Sequence, residues 1–300
     1  MGKRPTDNTH LGNSYSPDLF GRRDLSIFSV DLHWRRDQQP LPSILVTEPT
    51  AESKALESSD ELYTTPHGGR FPLLRFPDES SGSLGGTARA FANSYFMEGL
   101  NTPAQENRGK RIDCFRSAEL LFLHGTARGD LKSHVGLGQI YVNDRCEGHY
   151  FDALRNNLLA DLTLPKNVIA QKAYEHFRYA ASKGDIEGAY LFGDLLRDGH
   201  GCPIDLLGAF EYYCYASDLL NERQFPNPIL LGNIALRLGR AFEEAEGCTA
   251  DFETALHWYE IASEALRDVT ESGVLFYHAE YGHARRGVAR MQQELAFSRR

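Results

Sequence analysis

Long apolar runs are missing from this chain. No stretch approaches eighteen consecutive apolar residues, which argues against a membrane-spanning helix and a membrane partner. The opening MGKRPTDNTHLGNSYS lacks the apolar segment of a secretory signal, and none is expected. Met1-Gly2 with Thr6 has the spacing for N-myristoylation, but Lys3 behind the glycine speaks against it. Basic excess is missing too: 32 Lys and Arg face 41 Asp and Glu, a net charge of −9. Nucleic acid is therefore not the expected partner, since phosphate binding needs a basic face. The five cysteines, Cys114, Cys146, Cys202, Cys214 and Cys248, form no C-x-x-C. An odd, unmotified set suits a reduced, cytoplasmic setting.

The signatures of common chemistries are also absent. SGSLGGT (Ser81 to Thr87) is a glycine-rich stretch before a helix, but it lacks the Gly-Lys-Ser/Thr of a phosphate loop. It reads as a linker ending in Thr87 as an N-cap. His278 and His283 flank Glu280 without forming H-E-x-x-H, so no metal is expected. There is no G-x-S-x-G and no cysteine beside an obvious base. No catalytic residue, metal or cofactor is assigned. A hydrolase whose residues meet only in the fold, in a groove or in the 147–170 insert, stays open as an alternative.

What the chain does have is a pattern that restarts. Ala173, Phe177, Ala180-Ala181 and Gly184-Asp185 lead into Ala189, Phe192-Gly193, Gly199, Gly201 and Asp205. Ala209, Tyr213 and Ala216-Ser217 then begin it again, thirty-six residues after Ala173. Fifty-five residues earlier the same template gives Ala118, Phe122 and Gly129-Asp130. Forty-six residues later it gives Gly239, Gly247, Cys248, Asp251, Ala255, Trp258-Tyr259 and Ala262-Ser263. A period of this length signals a solenoid, in which each unit buries its apolar face only against its neighbours. Ala173, Phe177, Ala180 and Ala181 share one helical stripe. Gly199 and Gly201 suit a helix end and turn, Asp205 and Asp251 suit N-caps, and Cys202 and Cys248 share a small packing position. The aromatics Tyr212, Tyr213, Tyr215, Trp258 and Tyr259 are expected between repeats. Helices are expected at 88–99, 113–128, 133–143, 167–182, 186–197, 205–220, 229–244, 251–267 and 273–294, with a further one inside 147–164.

The order Ala-x-x-Leu-Gly, a glycine-bearing turn, Asp, then Ala-x-x-(Trp/Tyr)-Tyr-x-x-Ala-Ala resembles the Sel1-like repeat, a relative of the tetratricopeptide repeat. The resemblance spans roughly 88–294 and is best at Ala189 to Ser217 and Ala235 to Ser263. It implies an all-α fold, an α/α superhelical solenoid of helix pairs. By the same resemblance, the implied role is that of a non-catalytic adaptor holding a protein or peptide partner on its concave face. Leu220 stands where the pattern has a glycine, and Tyr141 is not followed by one. Secreted members carry a bonded cysteine pair in each repeat; no such pairing recurs here. Two parts are expected: a mostly disordered segment, 1–86, and a solenoid, 87–300, of about four helix pairs closed by a C-terminal helix. Within 1–86, Phe28, Val30, Leu32 and Trp34 alternate as a strand does, whereas the prolines of Phe71 to Pro77 forbid a regular element. These islands are read as a cap on the solenoid, as short peptides recognised by a partner, as peptides docked in its own groove in a regulatory or immunity-type protein, or as loose segments.

Candidate binding residues follow from the repeat columns. One column holds Gln139, Asp194 and Arg240; its neighbour holds Gly136, Leu191 and Arg237. Asn233, Arg237 and Arg240 lie three or four apart on one helical face, and Arg286 and Arg290 extend the patch. Such arginines can clamp a carboxylate of a peptide. They can equally pair with Glu243, Glu244 and Glu246 on a solvated surface.

Overall fold

The computed structural model describes residues 62–64, 70–72, 84–105, 107–151, 161–223, 227–271 and 277–298. Nine α-helices occupy most of them: α1 Leu84–Asn101, α2 Arg108–Ala127, α3 Leu131–Val142, α4 Lys166–Ser182, α5 Ile186–Asp198, α6 Leu206–Asn221, α7 Pro228–Glu244, α8 Phe252–Glu271 and α9 His278–Ser298. Two short antiparallel ribbons join them, β1 Leu62–Thr64 with β2 Arg70–Pro72, and β3 His149–Phe151 with β4 Asp161–Thr163. The fold is the expected all-α solenoid, with helices packed in sequence from α1 to α9. The island at Phe28 to Trp34, and the disorder expected of the N-terminal segment, lie outside the described residues.

Small residues and rings set the packing within a helix pair. Ala118, Ala173, Ala209 and Ala255 are buried in one column, and Phe122, Phe177, Tyr213 and Tyr259 in the column four residues on. Three of those rings lie flat on a glycine of the preceding helix. A Cβ at Gly138 would stand 2.5 Å from Phe177, one at Gly193 2.7 Å from Tyr213, and one at Gly239 2.9 Å from Tyr259. Any larger residue would push the pair apart. Gly287 of α9 also seats on Tyr259, where an added Cβ would stand 2.5 Å from the ring. Trp258, Tyr213 and Tyr259 are buried, as expected of inter-repeat core.

Successive pairs are joined at their turns. Gly201 (φ +76°) and Gly247 (φ +75°) press on the carbonyls of Ala170 and Leu206, where a Cβ would lie 2.4 and 2.2 Å away. Asp130, Asp185, Asp205 and Asp251 cap α3, α5, α6 and α8, each accepting a backbone N–H at 2.8–3.1 Å. Cys202 and Cys248 each sit under the end of a helix, their Sγ atoms 3.5 and 3.3 Å from the carbonyls of Leu195 and Ala241.

Four expectations are corrected. Helix α1 starts at Leu84, so Thr87 lies inside it and is not its cap. Gly85 is buried packing and not linker: a Cβ there would be 2.8 Å from that of Asp130, which Arg89 also meets at 3.0 Å. Helix α2 starts at Arg108, capped by Asn107, well before 113. The helix expected inside the 147–164 insert is not one of the four: the ends of the insert pair as strands, and its middle, 152–160, lies outside the described residues. Phe71 and Pro72 belong to a strand after all; Pro72 ends it opposite Leu62, and in a two-stranded ribbon either strand is an edge, where a missing N–H is tolerated.

Candidate binding cleft

Helices α3, α5, α7 and α9 touch in succession and form one layer of the stack. Between α5, α7 and α9 lies a cleft of about 390 Å³. Six of the seven candidate residues line it: Asp194, Asn233, Arg237, Arg240, Arg286 and Arg290. The seventh, Gln139 on α3, does not. Its amide donates to Glu187 Oε1 on α5 at 3.0 Å, one helix pair nearer the N-terminus.

The six residues differ in what they have left to offer. Arg237 donates from Nε to both oxygens of Asp194 at 2.8 and 2.9 Å, from Nη1 to the Asn233 carbonyl at 2.9 Å, and lies over the Tyr190 ring. Burial opposes its charge, but Asp194 beside it raises its pKa overall. Asp194 also accepts from the Tyr213 hydroxyl at 2.9 Å. These two charges hold the repeats together and are spent on each other. Asn233 is buried, its side-chain amide turned back to the Ile229 carbonyl.

The remaining arginines fall between the two readings of the sequence. Arg240 donates from Nε to Glu246 at 3.0 Å, but its Nη2 is buried with no acceptor. Arg290 forks onto Glu243 with two bonds of 2.8 Å. Burial alone would raise the Glu243 pKa; hydrogen bonds from Arg290 and Tyr259 hold it below the usual carboxylate value. Arg286 is exposed and meets no acceptor among the described residues. Charge pairing with Glu243 and Glu246 thus accounts for Arg290 and half of Arg240, and leaves Arg286 free.

Residues outside the repeat columns complete the cleft. Arg197, Leu236, Glu244, Tyr259, Ala279, Glu280 and His283 also line it. Glu280 turns an oxygen, Oε2, into the interior with no donor to meet it. Glu280 and His283 had been considered only as metal ligands. Among the described residues no group of three or more His, Cys, Asp or Glu is placed to hold a metal ion. Nor is any described helix long and apolar enough to cross a membrane.

A model of the Sel1 repeat matches residues 160–185, 186–219 and 235–265, which take in α4 and α5 and parts of α6, α7 and α8. Such repeats are in general non-catalytic helical modules that mediate protein–protein contacts. No curated protein matches the chain. Three matched repeats, set in a stack whose rings, glycines and caps recur in register, show that the chain carries Sel1 repeats between residues 160 and 265.

Proposed function

We propose that the protein is a non-catalytic adaptor that holds an extended segment of a partner protein along its concave face. The observation that carries this reading is the cleft between α5, α7 and α9, where six residues from separate repeats and the last helix converge. Its lining is polar and charged, suited to the main chain and polar side chains of a peptide. All five cysteines are free thiols, which supports a cytoplasmic setting for the adaptor. The domain division that accompanies this reading is a solenoid running from α1 to α9 that presents the groove, preceded by a separate N-terminal segment.

Site-directed photo-crosslinking tests it. A benzoylphenylalanine at Leu236 in the cleft is expected to capture a protein in cell extract. The same probe at Glu175, half-buried on α4 and outside the cleft, is expected not to. Capture from Glu175 alone, or equal capture from both positions, would remove the concave face from the proposal.

A further inference from the structure

The partner's chemistry can be taken one step further, on the reading that the concave cleft is a peptide site. We infer that the cleft is built for a carboxylate: an Asp or Glu side chain on an extended segment of another protein.

Most of the cleft's charges are already closed within the molecule. Arg237 is held by Asp194, Arg290 by Glu243, Arg197 by Asp198, and the Nε of Arg240 by Glu246. What stays open is specific. Two guanidinium groups line the cleft with donors to spare, Arg286 in full and Arg240 beyond the Nε that Glu246 takes, its Nη2 being buried without an acceptor. Glu280 lines the same space, with its Oε2 turned into the interior and unmet. Leaving a buried polar atom without a partner is costly, so a ligand that supplies one is favoured. A carboxylate answers both guanidinium groups with charge-assisted bonds. Glu244 and Glu280 in the lining oppose a doubly charged phosphate more than a singly charged carboxylate.

The test is to pan a library of random twelve-residue peptides on the full-length chain and measure the enriched peptides by fluorescence polarisation. Expected is an Asp or Glu at one fixed position. Its replacement by Gln or Asn, and separately Arg286→Ala, should each weaken binding about tenfold. Arg286 is exposed and holds nothing else, so its variant keeps the fold, which circular dichroism will show. Enriched peptides without an acidic preference, or bound equally by Arg286→Ala, would overturn the carboxylate and leave the adaptor standing. Tighter binding when phosphoserine replaces the acid would overturn it in favour of phosphate. No enrichment at all would sink both readings.

Discussion

Arg237 and Asp194 grip each other across two consecutive helix pairs, with both guanidinium edges engaged and about a sixth of each side chain exposed. By column and spacing both are candidates to meet a partner, yet their charges are consumed in the scaffold. Arg237→Ala is therefore expected to cost stability before it costs binding. Asp194 would keep the Tyr213 hydroxyl and a distant Arg197, so the loss should be about 2 kcal/mol and not the larger figure for a fully isolated buried charge. A double-mutant cycle with Asp194→Asn, read from urea midpoints, measures the coupling. A coupling near zero would show that the pair is ornamental.

Ala245 ends α7 with φ +57°, at the repeat position where Gly199 ends α5 with φ +68°. A side chain in the left-handed region costs roughly 1 kcal/mol, which glycine avoids. Ala245→Gly should stabilise the chain by about 0.5–1 kcal/mol, visible as a higher thermal midpoint. The reverse exchange, Gly199→Ala, should do worse than the mirror of that gain, because the new Cβ would meet Ile204 at 2.8 Å.

Gly193→Ala adds one methyl group where the Tyr213 ring lies 2.7 Å away. Overpacking of this kind costs about 1–3 kcal/mol. The same exchange at Gly282, where the nearest atom is the mobile guanidinium of Arg286 at 3.3 Å, is expected to be near neutral. Chemical denaturation of the two variants side by side separates ring-on-glycine packing from a general intolerance of change in helices.

Stability should fall on both sides of neutrality, for opposite reasons. Burial lowers His124 and His134 to about 4 and His176 further, helped there by His134 beside it. The unfolded chain takes up these protons near pH 6.5, so the stability they contribute is full above that value and is lost as pH falls through 4. Glu119 runs the other way. Burial pushes it up to about 8, against hydrogen bonds from Tyr141 and the Phe151 N–H and the charges of Lys172 and Arg116. Its contribution is full below pH 4.5 and declines as pH rises through 8. Asp218, raised to about 6 by burial and Glu222, follows the same sign at lower pH. Urea midpoints should thus decline from pH 6.5 to 8 in the wild type and less so in Glu119→Gln. A wild-type plateau across that window would show that Glu119 is ionised in the fold.

Much of this architecture was legible in the residues because each repeat feature answers a steric demand that only certain side chains meet. A glycine at 138, 193 and 239 is required by a ring at 177, 213 and 259, so both members recur together. Asp205 and Asp251 recur because each helix start needs an acceptor. Glu119 was not legible. In sequence it is one more acid on a helix, and only the return of the insert, which brings the Phe151 N–H and Cys146 around it, encloses it. The α9 side of the cleft was half legible. Arg286 and Arg290 stood out by charge, but Glu280 and His283 are placed by the seating of Gly287 on Tyr259, a contact outside the matched repeats. Arg237 was found by spacing and misjudged by it, since spacing shows which face a side chain shares and not which neighbour has already taken its charge.

Tyr213 and Tyr259 have their rings in the core and their hydroxyls on two acids, Asp194, which lines the cleft, and Glu243, which holds the cleft residue Arg290. Each ring is thereby a native optical probe whose polar end is tuned by what happens in the groove. A guest that draws on Arg290 loosens its hold on Glu243, and the Tyr259 hydroxyl registers the change in its ultraviolet absorption and Raman bands. Occupancy can be followed this way in the unlabelled protein, with Tyr259→Phe as the silent control.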